Sequence, residues 1–292
     1  MNPLYSYLSK TALAQLDLPP QERMRLMFVD RFVAHERVAY MIKYCEFLMR
    51  KPPGVRPTGL LVTCPSGSGK TTMAEILTRR YPPMGATPQS AATFPVIYLS
   101  MTDAREAKEI YTRMLKEWKV PYIKGLTLEE RRDKVVELAT VTKLRLIIID
   151  EVQDVLLVTP RQQVLALLAI KFIMNTVKVP VLALGTQDAR ASLAADQHLD
   201  SRFEKQELPT WIADGYFRNF LEAYLEQLPL KKRSDLTSQS MMDFIIKETG
   251  GLMREIIKRL QRSAALAIQI NEERITKEIF VRTNYVFPEL EV

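Results

Sequence analysis

Residues 64–71, CPSGSGKT, have the composition and spacing of a loop that wraps its backbone N–H groups around phosphates. The full pattern is G-x-x-x-x-G-K-[ST], and Gly69, Lys70 and Thr71 match its second half. In such a loop the lysine neutralises the outer phosphates and the hydroxyl binds Mg²⁺. Cys64 replaces the first glycine, which mainly eases the turn. The residues predicted to bind ATP here are Pro65, Ser66, Gly67, Ser68, Gly69, Lys70, Thr71 and Thr72.

Two carboxylates, Asp150 and Glu151, follow the apolar run at 144–149. In phosphate-cleaving sites of this kind the aspartate acts on Mg²⁺ through its water ligands, and the glutamate polarises the attacking water. The alternative is an exposed acidic strand end without a chemical role. The phosphate loop earlier in the chain favours the enzymatic interpretation. Thr71 and Asp150 are therefore predicted metal residues, and Glu151 is a predicted catalytic residue.

Three further residues have patterns that support more than one interpretation. Thr186 follows the apolar run at 180–184 and would contact the attacking water or the γ-phosphate, although a Gly-Thr turn after a strand is common. Arg202, in Ser-Arg-Phe, suits an arginine finger supplied to a neighbouring subunit, or a surface arginine near a domain hinge. Arg254 could reach back to the nucleotide, or lie on a solvated helix face with Lys258 and Arg262, at four-residue spacing.

The elements that would position these residues alternate along the first two thirds of the chain. Short apolar runs at 59–63, 96–99, 144–149 and 180–184 predict buried parallel strands, and helical periodicity separates them at 69–80, 103–118, 128–142 and 161–177. This order predicts an α/β fold with a parallel sheet covered on both faces. After residue 209 only helical segments follow, at 213–227, 238–249, 251–271 and 276–283. The predicted domains are an arm at 1–25, a nucleotide-binding core at 26–208, a helical lid at 209–283 and a tail at 284–292.

The composition fits a nucleic-acid partner without requiring one. The 292 residues carry a formal charge of +7, which suits phosphate contacts or simply solubility. The charge is diffuse, since residues 101–134 hold nine basic and seven acidic side chains. Two cysteines at unrelated positions, Cys45 and Cys64, favour a reduced cytoplasm over a disulfide framework. No signal peptide or membrane-spanning segment is predicted.

These motifs, in this order, resemble those of an AAA+ ATPase, and more specifically the TniB/TnsC family of transposition ATPases, relatives of the Mu B protein. Three stretches carry the likeness: Asp30-Arg31-Phe32 followed by HERV, the acidic strand IIIDEVQDVL, and the block GTQDARASLAADQHLDSRFEKQELPTW. The resemblance extends from about residue 15 to about residue 265. It implies an AAA+ P-loop NTPase fold, with a parallel αβα sandwich and a C-terminal helical lid.

The resemblance also implies an activity and partners. Such proteins assemble on double-stranded DNA as a ring of six or seven copies or a helical filament, and hydrolysis of ATP with Mg²⁺ controls disassembly. They recruit and activate a DDE transposase, often with a TniQ-type targeting protein, in the bacterial cytoplasm on the nucleoid. Thr186 falls at the first sensor position and Arg202 at the finger position. Arg254 falls at a second sensor position, where this family often lacks an arginine.

Duplex contacts in such assemblies come from loops and helix starts, largely to the phosphate backbone. The candidate residues follow the strand at 96–99 and are Thr102, Arg105, Lys108, Lys119 and Lys124. Two alternatives stay open: a replication-type AAA+ loader, and a scaffold that binds ATP but turns over little. A nucleotide kinase would need a second substrate pocket and would not need the Ser-Arg-Phe finger.

Overall fold

The computed structural model describes residues 3–33, 35–52, 57–104, 106–156 and 159–290. These residues form two compact units. One unit is the α/β unit Glu36–Pro209, and the other, the helical unit, joins the residues up to His35 with those from Thr210 onward. The helical unit therefore includes the N-terminal segment, and its boundaries differ from the predicted division into arm, core, lid and tail.

The elements follow the alternation that the sequence indicates. In chain order they are α1 Lys10–Ala14, α2 Pro20–Met27, α3 Glu36–Arg50, β1 Gly59–Thr63, α4 Lys70–Arg80, β2 Val96–Ser100, α5 Lys108–Glu117, α6 Leu128–Val141, β3 Leu146–Asp150, α7 Gln153–Leu156, α8 Pro160–Phe172, β4 Val181–Gly185, α9 Gln187–Ala194, α10 Gln197–Asp200, β5 Phe203–Glu207, α11 Gly215–Leu225, α12 Gln239–Thr249, α13 Met253–Gln269 and α14 Lys277–Arg282. Short 3₁₀ turns occur at Pro3–Tyr5 and Ile123–Gly125, and a π-helical turn, Ile173–Val177, follows α8.

Local sequence explains several helix boundaries. Thr127 and Glu130 form a capping box at the start of α6, with each side chain accepting a hydrogen bond from the other residue's N–H, at 3.2 and 2.7 Å. Both α2 and α8 begin with proline at their first position, where a missing N–H costs no hydrogen bond. Gly250 ends α12 in a left-handed conformation, at φ 62°.

The five strands found among the described residues form one parallel sheet in the order β2-β3-β4-β1-β5. Consecutive residues of β1, β3 and β4 pack into opposite layers. Leu60, Ile148 and Leu182 face a layer that contains α3 and α4, while Leu61, Ile147 and Val181 face the layer of α5, α6 and α8. This two-sided burial explains the unbroken apolar runs in the sequence. The prediction of a parallel αβα fold is confirmed.

One strand, β5, was absent from the sequence prediction. Its residues, FEKQE, include three charged side chains, and within the described part of the chain it pairs only with β1, at the edge of the sheet. An edge strand with one partner can be polar, so its hydrophobic signal is weak. Its register places Phe203 opposite Gly59, which fixes where the preceding Arg202 lies.

In the helical unit, α2 packs on α13, which places the N-terminal segment among the later helices. The Arg23 guanidinium makes a bidentate ion pair with the Glu273 carboxylate, at 2.8 and 2.5 Å, and both side chains are buried. Arg31, from the stretch that resembles the family segment, donates to the carbonyl of Leu26 at 2.6 Å. Among the residues described, no helix has the length and apolar character needed to cross a membrane.

Candidate functional site

The phosphate loop connects the carboxyl end of β1 to the first turn of α4. Gly67 and Gly69 adopt φ values of 82° and 94°, a left-handed backbone that favours glycine. Gly69 precedes α4 and caps it without a side-chain hydrogen bond. The first N–H groups of α4 therefore have no side-chain acceptor there, which suits them to an anion.

Lys70 is buried in this loop, with only 5% of its surface exposed. Among the described residues it forms no ion pair or hydrogen bond. The hydroxyl oxygens of Ser68 and Thr186 are also buried and lack partners. A buried cation without a counterion is costly, and unpaired hydroxyls add to that cost. The phosphates of a nucleotide would satisfy these groups, so the loop residues fit ATP.

Asp150 ends β3 directly beside the phosphate loop. One of its carboxylate oxygens, Oδ2, accepts hydrogen bonds from the Thr71 hydroxyl at 3.0 Å and from the Tyr98 hydroxyl at 2.9 Å. Burial and the Asp150 charge raise the pKa of Tyr98, so it remains a donor. Neighbouring oxygens in an octahedral Mg²⁺ shell lie about 3 Å apart. Thr71 and Asp150 are therefore spaced as a pair that could hold Mg²⁺ together with phosphate and water oxygens.

Glu151 has a backbone conformation that few non-glycine residues adopt, with φ at 52°. Such a conformation costs about 1–2 kcal/mol, and residues that retain it cluster at functional sites. The Glu151 N–H donates to Asp150 Oδ1 at 2.9 Å, which fixes the turn. The Gln153 amide nitrogen donates to the Glu151 carboxylate, while the Gln153 amide oxygen accepts from the Thr186 N–H at 3.3 Å. Gln153 thus connects Glu151 to Thr186.

Thr186 follows the end of β4, and β4 lies between β1 and β3 in the sheet. The structure therefore brings Lys70, Asp150, Glu151 and Thr186 to the carboxyl ends of the strands, which we call the carboxyl edge of the sheet. Tyr98 and Gln153 belong to the same cluster but were not singled out by sequence. Tyr98 lies within an apolar strand run, where a tyrosine gives no indication of a functional role. Gln153 lies in the acidic stretch, two residues after Glu151.

Cys64 continues β1 beyond its last residue. Its N–H donates to the carbonyl of Gly185 at 3.1 Å, and its side chain is buried in the α3/α4 layer. Burial, against the lowering effect of the nearby Lys70 charge, raises the pKa of its thiol to about 11. The residue at the first glycine position is thus an inert core thiol.

Arg202 lies at the amino ends of the strands, which we call the amino edge of the sheet, whereas the phosphate loop lies at the carboxyl edge. Its carbonyl accepts from the N–H of Gly59, the first residue of β1, at 2.8 Å. Its guanidinium donates to the side-chain oxygen of Asn175, in the π-helical turn after α8. A strand of five residues spans about 16 Å. Arg202 is therefore about one strand length from the phosphate loop of its own chain.

Arg254 is the second residue of α13, in the helical unit, and its side chain is mostly exposed. Its guanidinium pairs with the Glu255 carboxylate at 3.4 Å. On the same helix Lys258 pairs with Glu255 at 3.8 Å, and Arg262 lies over the Phe287 ring at 4.6 Å. These contacts are compatible with a solvated, locally paired helix face.

The candidate DNA-binding residues do not form one patch. Thr102 and Lys108 are exposed near the carboxyl edge, and Lys108 pairs with Glu106 at 2.6 Å. Lys119 and Lys124 are exposed beyond α5, at the amino edge, where Trp118 donates to the Thr142 hydroxyl at 3.1 Å. Arg105 lies outside the described residues.

The sequence matches the family described as bacterial TniB protein over residues 23–213, more than half of the chain. The chain belongs to the TniB family. The matched range includes the phosphate loop, both carboxylates, Thr186 and Arg202, but ends before Arg254. No curated protein gives a significant match to this TniB-family sequence.

Three solved structures are similar to this TniB-family protein. Aeropyrum pernix ORC2, in ADPNP-ADP complexes, is 17% identical, with a TM-score of 0.62 over 91% of this chain and 72% of that chain. A. pernix ORC1, in complex with DNA, is 18% identical, with a TM-score of 0.61 over 89% and 68%. The Thermotoga maritima RuvB Holliday junction branch migration motor is 17% identical, with a TM-score of 0.52 over 89% and 72%. At these identities the likeness establishes the fold, that of the AAA+ ATPases.

Proposed function

We propose that this TniB-family protein is an ATP-hydrolysing regulator of DNA transposition. It assembles as an oligomer on double-stranded DNA, and recruits and activates a DDE transposase with a TniQ-type targeting protein. It works in the bacterial cytoplasm, associated with the nucleoid when bound to DNA. The TniB membership and the AAA+ fold support this proposal.

The observation that carries the proposal is the separation of Arg202 from the phosphate loop. Lys70, Asp150 and Glu151 lie at the carboxyl edge, and Arg202 lies at the amino edge, hydrogen-bonded to the start of β1 through its carbonyl. One chain thus supplies a nucleotide half-site and, on another face, an arginine for a neighbour. Hydrolysis then depends on assembly, which is the behaviour of a regulator.

Each residue of the half-site has a role in this proposal. Lys70 and the N–H groups of the loop bind the ATP phosphates, and Thr71 and Asp150 hold Mg²⁺, which neutralises phosphate charge when bound. Glu151 polarises the attacking water, Gln153 fixes the direction of the Glu151 carboxylate, and Thr186 orients the water or the γ-phosphate. Arg202 of a neighbouring copy stabilises the charge that develops on the γ-phosphate.

The DNA part of the proposal has separate support. The formal charge is +7, and the similar A. pernix ORC1 structure was solved in complex with DNA. A replication-type loader shares the fold, so fold likeness does not decide between the two. The TniB membership favours transposition. A scaffold with little turnover is disfavoured by the intact Glu151 and its positioned carboxylate.

Glu151→Gln tests the catalytic assignment. We expect the variant to bind ATP and assemble on duplex DNA like wild type, while its DNA-dependent ATPase rate falls by about a hundredfold or more, since the amide cannot accept a proton. The measurements are phosphate release with and without duplex DNA, nucleotide affinity, and sedimentation of the DNA complex. Glu137→Gln, an exposed glutamate of α6, is the matched control and should hydrolyse normally.

The same experiment separates the alternatives. Wild-type hydrolysis by Glu151→Gln would refute the role given to this residue. A wild-type protein that binds ATP and DNA but releases no phosphate would be a scaffold. Assembly that requires a replicative helicase instead of DNA would identify a loader.

A further inference from the structure

Tyr98 lies one strand away from Asp150, on the same face of the sheet. Its register partner on β3 is Ile148, and because side chains alternate along a strand, Ile148 and Asp150 face the same layer. That layer also contains α4, the helix that begins at the phosphate loop. The Tyr98 hydroxyl donates to Asp150 Oδ2 at 2.9 Å, so the side chain extends diagonally along the sheet toward its carboxyl edge.

The Asp150 carboxylate needs the hydrogen bonds that it receives. The residue is only 1% exposed and forms no ion pair among the described residues. Burying a carboxylate is costly unless hydrogen bonds or a cation compensate. Three donors do so: the Glu151 N–H to Oδ1 at 2.9 Å, and the hydroxyls of Thr71 and Tyr98 to Oδ2 at 3.0 and 2.9 Å. Asp150 is thus held from the turn after β3, from α4 and from β2.

The three donors are not equivalent. The Thr71 oxygen belongs to the proposed metal site, and the Glu151 N–H belongs to the turn that carries the proposed base, whereas Tyr98 has neither role. Burial and the Asp150 charge raise the pKa of Tyr98, so it stays protonated and donates to this carboxylate. A neutral donor restrains the carboxylate without cancelling its charge, while a lysine or arginine there would repel a divalent cation.

We infer that Tyr98 is a positioning residue of the metal site, and that its hydrogen bond to Asp150 sets how strongly the half-site prefers nucleotide with Mg²⁺ over nucleotide alone. The inference rests on the proposed function, which assigns Asp150 to Mg²⁺. Tyr98 acts through Asp150, because a carboxylate released on one side can rotate away from the metal. Groups that hydrogen-bond metal ligands in this way typically change metal affinity by about 10–100-fold.

A purely structural role for Tyr98 gives a different expectation. Its ring packs against the apolar core shared by α3 and α4. Loss of that packing would loosen α4, and with it the phosphate loop at its start. Nucleotide would then bind more weakly whether or not Mg²⁺ is present. The two roles are therefore separated by the Mg²⁺ dependence of nucleotide binding.

The test compares wild type with Tyr98→Phe, which removes the hydroxyl and retains the ring. The dissociation constant of the fluorescent analogue mant-AMPPNP for the full-length protein is measured by anisotropy, in EDTA and over a series of Mg²⁺ concentrations. Mn²⁺ in place of Mg²⁺, followed by electron paramagnetic resonance, gives the metal affinity of the nucleotide complex directly. Neither measurement depends on hydrolysis.

We expect Tyr98→Phe to match wild type in EDTA and to need about tenfold more Mg²⁺ or Mn²⁺ for half-saturation. High Mg²⁺ should then restore the wild-type affinity for the analogue. Tyr111→Phe is the matched control, a tyrosine of the same unit that is buried in the other layer, and it should behave like wild type throughout. Equal weakening with and without metal, or an unchanged metal requirement, would overturn the inference.

A double-variant cycle shows whether Tyr98 acts through Asp150. In an Asp150→Asn background, adding Tyr98→Phe should change metal affinity by less than about twofold, since the carboxylate that Tyr98 holds is already gone. A further loss of about tenfold in that background would contradict the positioning role. If wild type itself binds the analogue equally well in EDTA and in Mg²⁺, the proposed metal site fails, and this inference fails with it.

Discussion

Gln153 holds Glu151 and Thr186 through the two ends of one amide. Its nitrogen donates to the Glu151 carboxylate, and its oxygen accepts from the Thr186 N–H at 3.3 Å. We expect Gln153→Ala to lower the maximal ATPase rate by up to about a hundredfold, because a misdirected base loses its geometric advantage, while ATP affinity stays close to that of wild type. Steady-state kinetics with a nucleotide titration measure both quantities. Gln163→Ala on α8 is the matched control, and a loss of affinity without loss of rate would contradict a positioning role.

Sequence predicts residues of this site most clearly where neighbours in the chain share the chemistry. Lys70 with Thr71, and Asp150 with Glu151, are adjacent, so their pattern is visible. The contacts of Tyr98 with Asp150 and of Gln153 with Thr186 depend on how β2, β3 and β4 align. A strand order of 2-3-4-1-5 is a property of tertiary packing and leaves no local signal at either residue.

Among the elements, α2 shows how a segment assigned mostly to the predicted arm can belong to a unit built largely from the other end of the chain. Its partner is α13, more than two hundred residues away in the chain. The buried Arg23–Glu273 ion pair joins α2 to the segment that follows α13, with a further hydrogen bond from Arg23 to the Pro229 carbonyl at 3.2 Å. Such a long-range pair is invisible to pattern analysis, as is β5, whose polar residues hide its role as an edge strand.

Removing one member of this ion pair should destabilise the helical unit. We expect Arg23→Ala to reduce the free energy of unfolding by about 3–5 kcal/mol, because it leaves the Glu273 carboxylate buried without a counterion. The double variant Arg23→Met with Glu273→Leu should lose much less, since no charge is then buried. Chemical denaturation followed by circular dichroism measures the difference. Equal losses in the single and double variants would show that packing, and not charge, stabilises this contact.

The pair also gives this contact a pH dependence. Burial alone raises the pKa of Glu273, but the Arg23 and Lys231 interactions outweigh it and hold the pKa below the ordinary 4.5. A carboxyl with a lowered pKa stabilises the fold at pH values above 4.5, and this contribution is lost as pH falls through the folded-state pKa. The difference in free energy of unfolding between wild type and Arg23→Ala should therefore shrink as the pH falls from 4.5 through the folded-state pKa of Glu273.

At the scale of the whole molecule, the basic residues proposed to contact DNA lie in two separate places, at the carboxyl edge and at the amino edge of the sheet. Lys108 at the carboxyl edge is paired with Glu106 at 2.6 Å. At the amino edge Lys119 and Lys124 are exposed, form no ion pair among the described residues, and flank the exposed Tyr122. A lysine without a carboxylate partner displaces counterions from DNA without first losing an ion pair. The amino edge is therefore the better candidate for phosphate contact.

Salt dependence of DNA binding distinguishes the two edges. We expect Lys119→Ala with Lys124→Ala to weaken ATP-dependent binding and to reduce the slope of log K against log salt concentration by about 2, one for each lost phosphate contact. Lys108→Ala should change the slope by less than about 1, because its charge is already paired. Fluorescence anisotropy on a short duplex over a salt series measures the slopes, with nucleotide affinity as the check that the half-site is intact. A large change from Lys108→Ala and none from the double variant would place the duplex at the carboxyl edge, beside the phosphate loop, and would make nucleotide and DNA neighbours on one surface.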